Sequence, residues 1–295
     1  MFGSTILDLA VGLIFTFLII SLITSTATEA IASASGWRAN TLLQGIKDLL
    51  NDQNFTGLAL NIYNHGLINP QADGAATKDR PPTVIPSYID AKQFATALTE
   101  LAGISSGVVL PAPQEKIDAV VTDLKGKINA NVSDDQLKQV LNGIVERAGG
   151  DINKINSGIA DWFNQSMDRV SGAYKRKTQL WTIIIALIVT IAFNLDSVRI
   201  AQALWDQPAV IKAIGPLTIA SGASTVDALK QFQGLGLPFG WDNDAITYVK
   251  DMKNGPHWIF AIAGWIITAL STLFGAPFWF DALQKFVQLR GAGAK

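Results

Sequence analysis

The chain of 295 residues contains no cysteine. Disulfides, thiolate metal sites and a cysteine nucleophile are therefore excluded. Histidine is nearly as scarce. The two, His65 and His257, have no partner at metal-ligand spacing, which leaves little material for a histidine-rich metal site. Charge is also thin, at 16% of residues against about 25% in soluble domains. Part of the chain must lie where charge is expensive. The 24 acidic and 23 basic residues nearly cancel, which argues against a nucleic-acid binder needing a basic face. No Gly-Lys-Ser/Thr loop for phosphates occurs, so ATP hydrolysis is unsupported. No strand-like alternation exceeds a few residues; Val108-Val109-Leu110 comes nearest, and Pro111 ends it.

What the chain has is long apolar runs: Leu9 to Thr28, Thr178 to Leu195, and Asn254 to Phe280. Gly255-Pro256 marks the start of the third helix. A bilayer core takes about 20 apolar residues of helix, and helix is the default because it satisfies its own backbone. The first run could instead be a secretory signal with Ala32-Ser33-Ala34 as its cleavage site. No Lys or Arg precedes it, so a retained span is favoured. Thr5-x-x-Asp8 resembles a capping box at its start. Lys and Arg near the runs set the orientation. Arg38, Lys47, Arg169, Lys175, Arg176, Lys177, Lys285, Arg290 and Lys295 fall on one side, and Arg199, Lys250 and Lys253 on the other. The N-terminus is expected outside and the C-terminus in the cytoplasm.

The expected fold is an all-α membrane protein with three transmembrane helices. The divisions are a first transmembrane helix within 1–36, a helical cytoplasmic domain at 37–177, and a second transmembrane helix at 178–205. An extracytoplasmic loop region follows at 206–256, then a third transmembrane helix at 257–277 and an interfacial C-terminal helix at 278–295. Within 37–177, apolar residues recur at helical spacing: Leu42, Leu43, Ile46, Leu49 and Leu50; Ile117, Val120, Val121, Leu124 and Ile128; Leu137, Val140, Leu141 and Ile144; Ile152, Ile155, Ile159 and Trp162. Ser87-x-x-Asp90 and Ser133-x-x-Gln136 resemble capping boxes, and Gly103 and Gly149-Gly150 resemble terminators. With no proline from Asp151 to Trp205, one long helix is expected through the second span. Tyr174 and Trp181 suit the headgroup region. Lys175, Arg176 and Lys177 either attract anionic lipid or, the favoured reading, serve as an ordinary topology-setting flank. In the outer loop, Ser224-x-x-Asp227 caps a short helix, and the stretch from Gly234 to Trp241 is read as a turn-rich cover rather than a re-entrant element.

Candidate chemistry is sparse. Gly103-Ile104-Ser105-Ser106-Gly107 matches G-x-S-x-G, but a nucleophile elbow needs a preceding strand, and here a helix precedes. A helix-ending turn is favoured over a serine hydrolase using Ser105. Asp242-Asn243-Asp244 could hold a divalent cation, but the rest of an EF-hand loop is missing, so a polar turn is favoured. Asp8, Glu29, Asp196, Arg199 and Asp281 fall at the ends of the apolar runs, which favours structural roles. Asp196 and Arg199 are spaced for a local helix pair. No midplane carboxylate or unwound helix of the transporter kind is evident. Small residues form two stripes, Thr26, Ala30 and Ala34, and Gly264, Thr268, Thr272 and Ala276; such faces let membrane helices approach closely, within one chain or between copies. Gly275-Ala276-Pro277 is expected to break the third helix, with Phe278, Trp279 and Phe280 as an aromatic girdle at the interface.

Four segments carry a resemblance. They are Thr26-Ala27-Thr28-Glu29-Ala30 with Gly36-Trp37; Pro86-Ser87-Tyr88-Ile89 with Phe94-Ala95; Asp168-Arg169-Val170-Ser171-Gly172 with Tyr174-Lys175-Arg176; and Gly275-Ala276-Pro277-Phe278-Trp279-Phe280-Asp281. In these the chain resembles an uncharacterised family of bacterial integral membrane proteins. The resemblance implies the bacterial inner membrane and brings no activity, cofactor or catalytic residue with it. From the residues, a non-enzymatic scaffold or anchor leads, self-associating and offering its cytoplasmic domain to a protein partner. An oligomeric channel or pore component is the alternative, and the Ser105 hydrolase comes third. No cofactor is expected, and the partners are the lipid bilayer, further copies and a cytoplasmic protein.

The orientation is testable. A protease-cleavable tag after Lys295 should be cut in inside-out vesicles and protected in intact cells; cleavage from outside intact cells reverses the topology.

Overall fold

The structure is a computed structural model, and it describes residues 2–104, 113–206, 237–241 and 257–292. Among these there is helix and no strand. The chain divides into two units, Met1–Ala34 with Arg176–Lys295, and Ser35–Lys175. Ser105, Val108-Val109-Leu110, Asp242-Asn243-Asp244, the Ser224 cap and residues 234–236 of the Gly234–Trp241 stretch lie outside the described residues.

In the unit Ser35–Lys175 the helices are α2 (Trp37–Leu49), α3 (Leu58–Asn64), α4 (Ala91–Leu101), α5 (Gln114–Asn131), α6 (Asp135–Ala148) and the first part of α7 (Ile152–Ala192). Their apolar stripes converge on one core. Ile46, Leu124, Ile128, Leu141, Ile155 and Ile159 are fully buried, with Phe94 and Leu98 from α4. Phe94 stacks on Phe163 of α7 at 4.2 Å between centroids. Tyr63 is also fully buried, edge-on to Phe55 at 5.8 Å. Burial raises its phenol above the ordinary tyrosine value.

Two capping boxes differ from the sequence pattern. The residue capping α4 is Asp90, not Ser87: its carboxylate accepts from the backbone N–H groups of Lys92 and Gln93. The residue capping α6 is Asp134, not Ser133, accepting from Leu137 N–H at 2.8 Å. A carboxylate reaches the same N–H groups with a full charge at the positive helix end, which favours Asp wherever both are present. Gly149 ends α6 in the left-handed conformation, φ 60°, which glycine adopts without penalty. The stretch 65–90 is irregular but held: Asn64 exchanges two hydrogen bonds with the Ala76 backbone, Asn69 donates to Val84 O, and His65 Nε2 meets Glu100 at 2.9 Å.

The membrane unit comprises α1 (Phe2–Ala34), the rest of α7, α8 (Ser197–Asp206), α9 (His257–Ser271), a 3-10 turn Thr272–Phe274 and α10 (Gly275–Ala292). Helix α1 starts at Phe2, ahead of the Thr5-x-x-Asp8 box, so that box lies within the helix. Leu9–Ala34 and Ile259–Gln288 are long and apolar enough to cross a membrane, and α7 with α8 forms a third candidate as a pair bent by 51°. The protein is therefore an all-helical membrane protein with two or three candidate spans. The stretch 178–205, expected as one helix, is two. Helix α7 does run unbroken from Ile152 through Lys177 to Ala192. The expected break near Gly275 falls at Thr272–Phe274, with Gly275 at φ 76° opening α10. α10 is the main partner of α1. Val11, Phe15, Leu18, Ile19 and Ile20 of α1 form the core of this unit with Leu195, Ile200, Leu204 and Leu283.

Asp134 supplies a pH test. Asn51 Nδ2 donates to it at 2.7 Å, and this bond, followed by the Leu137 N–H, holds its carboxyl below the ordinary aspartate value. A depressed folded pKa stabilises above the unfolded value, and the gain disappears as pH falls through the folded value. The protection of the Leu137 amide against hydrogen exchange, relative to the unfolded-chain rate at the same pH, should be high at neutral pH and fall in acid. Asp134→Ala should cost about 1 kcal/mol and remove that acid step.

Candidate functional site

The feature that singles out the membrane unit is the junction between α7 and α8. A helix end in an apolar setting leaves carbonyls and N–H groups that need partners, since lipid offers none. Here many of them are answered. Asn194 takes the left-handed conformation, φ 48°, which Asn tolerates better than most residues. Its N–H bonds to Ile191 O at 3.1 Å, and Leu195 N–H bonds to Thr190 O at 2.7 Å. These two bonds form a Schellman motif with Asn194 in the usual glycine position. The short segment 237–241 donates to three carbonyls of the helix end. Gly240 N–H reaches Phe193 O at 2.7 Å, and Trp241 Nε1 reaches Ile191 O and Ala192 O at 3.0 and 3.1 Å.

Asp196 then restarts the helix. Its Oδ1 accepts from Val198 N–H at 2.8 Å and Arg199 N–H at 3.3 Å. The bond between Asp196 and Arg199 runs to the Arg199 backbone N–H, a helix cap, where the spacing had suggested a side-chain pair. The residue is buried, with 1% of its surface exposed. Its carboxylate presses on α9 at Gly264, where any added Cβ would overlap Asp196 Oδ1 and lie 3.2 Å from Val198 N. Around it lie polar groups from both elements. Ser197 Oγ donates to Gly264 O at 3.0 Å, Thr268 Oγ1 donates to the same carbonyl at 2.8 Å, and Ser197 N–H bonds to Thr268 Oγ1 at 3.2 Å. Trp265 Nε1 donates to Asn194 Oδ1 at 3.2 Å.

The small-residue stripes divide. Gly264, Thr268 and Thr272 are the internal face: Thr268 and Thr272 are buried, and Ala276 packs on the membrane core. Thr26, Ala30 and Ala34 are exposed; the buried polar face of α1 is Ser21, Thr24 and Thr28 instead. The interface residues also divide. Lys175, Arg176, Lys177 and Trp181 are exposed, and Tyr174 is half-buried. Phe278 is exposed, while Trp279 and Phe280 pack on the membrane core. Trp279 donates to Ser271 O at 2.7 Å and lies 4.9 Å from the Phe17 ring. Sequence reasoning placed Asp196 at a helix end and missed the break. The signal was present: an Asn able to turn left-handed, then Asp-Ser able to cap, inside an apolar run.

The unit Ser35–Lys175 carries a separate cavity of about 490 Å³. Arg38 and Thr41 of α2, Ser87 and Tyr88, and Asp168 and Lys175 of α7 are among its lining. Tyr88 is 68% exposed. Comparison with known protein families, with curated proteins and with solved structures finds no match to this chain.

The contact at Gly264 predicts the effect of one methyl group. Gly264→Ala meets a short buried carboxylate and backbone, so it should destabilise the unit by about 1–3 kcal/mol, read as a lower Tm in detergent. Gly12→Ala meets Leu204 Cδ1, at 2.7 Å, the far end of a flexible side chain, and should cost less.

Proposed function

We propose that the protein is a non-enzymatic scaffold of a bacterial inner membrane, self-associating, with its C-terminus and the unit Ser35–Lys175 in the cytoplasm. The resemblance described above supports the bacterial setting, and the distribution of Lys and Arg supports the orientation. One observation carries the functional reading: Ser35–Lys175 closes a hydrophobic core made only of its own residues. A unit that folds around its own core has an outer surface to offer for recognition. Tyr88 beside the Arg38–Lys175 cavity offers an exposed aromatic and both signs of charge, chemistry enriched where protein partners anchor.

The distribution of polar groups in the spans weighs against the pore alternative. A path between copies needs polar outer faces. Thr16, Ser21, Thr24, Thr28, Thr190, Thr268 and Thr272 are all buried within the unit. The outer faces are apolar: Leu180, Ile184, Leu187, Ile188 and Ile191 on α7, and Ile259, Phe260, Ile262, Ile266, Ile267 and Leu270 on α9. Those faces suit lipid. The exposed Thr26–Ala30–Ala34 stripe is the flat face that a second helix could approach.

Self-association is read by diluting donor- and acceptor-labelled protein in liposomes of increasing lipid content. Wild type should remain associated at dilutions where Thr26→Leu with Ala30→Leu has dissociated, a shift of about tenfold, or 1.4 kcal/mol. A wild-type protein that is monomeric at every lipid ratio overturns the reading.

A further inference from the structure

We propose that the cavity of the unit Ser35–Lys175 lined by Arg38 and Lys175 binds the headgroup of one anionic glycerophospholipid, with its phosphodiester held between the two cations. The inference does not rest on the scaffold reading. All of the cavity's lining belongs to that unit. Arg38 enters it from the first turn of α2, and Lys175 enters it from α7. Neither takes part in an ion pair among the described residues. Along α7, Asn164, Asp168, Ser171 and Lys175 all line the cavity; at three- and four-residue spacing they form one face of the helix. The volume of about 490 Å³ falls within the range of small-molecule sites, about 300–1,000 Å³.

The chemistry of the lining selects the ligand. Arg binds phosphate through its planar fork and Lys binds it as a point charge. Two cations with Asp168 leave the cavity one net positive charge, which one phosphodiester neutralises. An ionised carboxylate only accepts hydrogen bonds, so Asp168 favours a headgroup bearing hydroxyls and disfavours a second phosphate. Leu42, Phe163 and Met167 add apolar lining, which suits a glycerol backbone better than a free phosphate ion.

Position along the chain selects the source. Lys175 is the last residue of its unit, and α7 continues without a break to Ala192. The exposed apolar face of α7 begins at Leu180, about 8 Å further along at 1.5 Å per residue. The polar headgroup layer of one leaflet is about 5–8 Å deep. Lys175 therefore falls at the depth of lipid phosphates when Leu180 meets the hydrocarbon. Arg38 follows closely in the chain on the end of the Leu9–Ala34 candidate span. Tyr88 also lines a second cavity with Asp90, Lys92 and Asp161, so an exposed aromatic with both signs of charge remains for a protein partner when the lipid is bound.

The rival is a basic flank that attracts anionic lipid without a pocket. On that reading Lys175, Arg176 and Lys177 count alike, whereas the cavity is lined by Lys175 and by neither basic neighbour. The full chain is stripped of lipid in a neutral detergent and titrated with phosphatidylglycerol, phosphatidylcholine or sodium phosphate at constant ionic strength, with unfolding temperature as the readout. A ligand of the folded state raises Tm, so saturating phosphatidylglycerol should lift it by roughly 4 °C over phosphatidylcholine. Sodium phosphate should leave it unmoved. Arg38→Gln with Lys175→Gln should need at least about tenfold more phosphatidylglycerol for the same rise. Arg176→Gln with Lys177→Gln removes the same charge outside the cavity and should shift that concentration by less than about threefold. Ser171→Leu keeps both cations, fills part of the cavity and costs an exposed helix face little. It should weaken the response as much, and it carries the test if the Arg38 and Lys175 double variant does not fold. Equal weakening by the two charge pairs overturns the site. So does a response to sodium phosphate that matches the one to phosphatidylglycerol, or a wild type that responds to both lipids alike.

Discussion

Backbone groups cannot be left unpaired in an apolar layer, and the membrane unit is organised around that constraint. Unbroken helix meets it without help along most of α1, α7 and α9. At Phe193–Asp196 the helix stops, and everything nearby is arranged to answer it. Two bonds fold back within α7, the 237–241 segment covers three carbonyls, and Asp196 caps the restart. The bend of 51° is the geometric result. Helix α8 is then turned onto both α1 and α9. Leu204 meets Gly12 from one side and Asp196 meets Gly264 from the other. Two glycines of separate spans therefore set how closely the short helix lies, and the break is tied to the packing of the whole unit.

The unit Ser35–Lys175 follows the ordinary logic of water-soluble helices. Each helix has one apolar stripe, and each stripe is hidden by the others. Carboxylates rather than hydroxyls hold the N-termini, at Asp90, Asp134 and Asp151. Asp52 does similar work before α3, accepting from the N–H groups of Thr56, Gly57 and Ala59. These caps cost little where water can solvate the free carboxylate oxygen. The same device at Asp196 has no such solvation, which is why an identical local motif is routine in one unit and consequential in the other.

Much of this was legible in the sequence. Periodicity located the core positions of α2, α5, α6 and α7, because a stripe at three- and four-residue spacing has only one face to bury. The long apolar runs located the candidate spans by length alone. The α7–α8 break was not read because hydropathy averages over a window, and a window over 178–195 stays apolar through Asn194. The site was also hidden because its halves are about 70 residues apart in the chain, by the separations of the Ser197–Gly264 and Ser197–Thr268 bonds. Asp196 read alone is an interfacial acid, and Gly264 read alone is a packing residue. Only their contact makes a site.

That contact also sharpens what a small-residue stripe means. Both stripes satisfy the same rule of spacing, yet one is internal and the other faces outward. The difference lies in the hydroxyls. Thr268 and Thr272 return their hydrogens to Gly264 O and Ala269 O, so their helix can be buried without stranded donors, and Thr268 retains an acceptor for the neighbouring Ser197. Thr26 likewise returns its hydrogen to Leu22 O, and Ala30 and Ala34 add no polar atom to that stripe. A stripe with a spare acceptor and a glycine gathers a polar partner from its own chain. A stripe of methyl groups is held only by packing, and a second copy can supply that packing as well as the first.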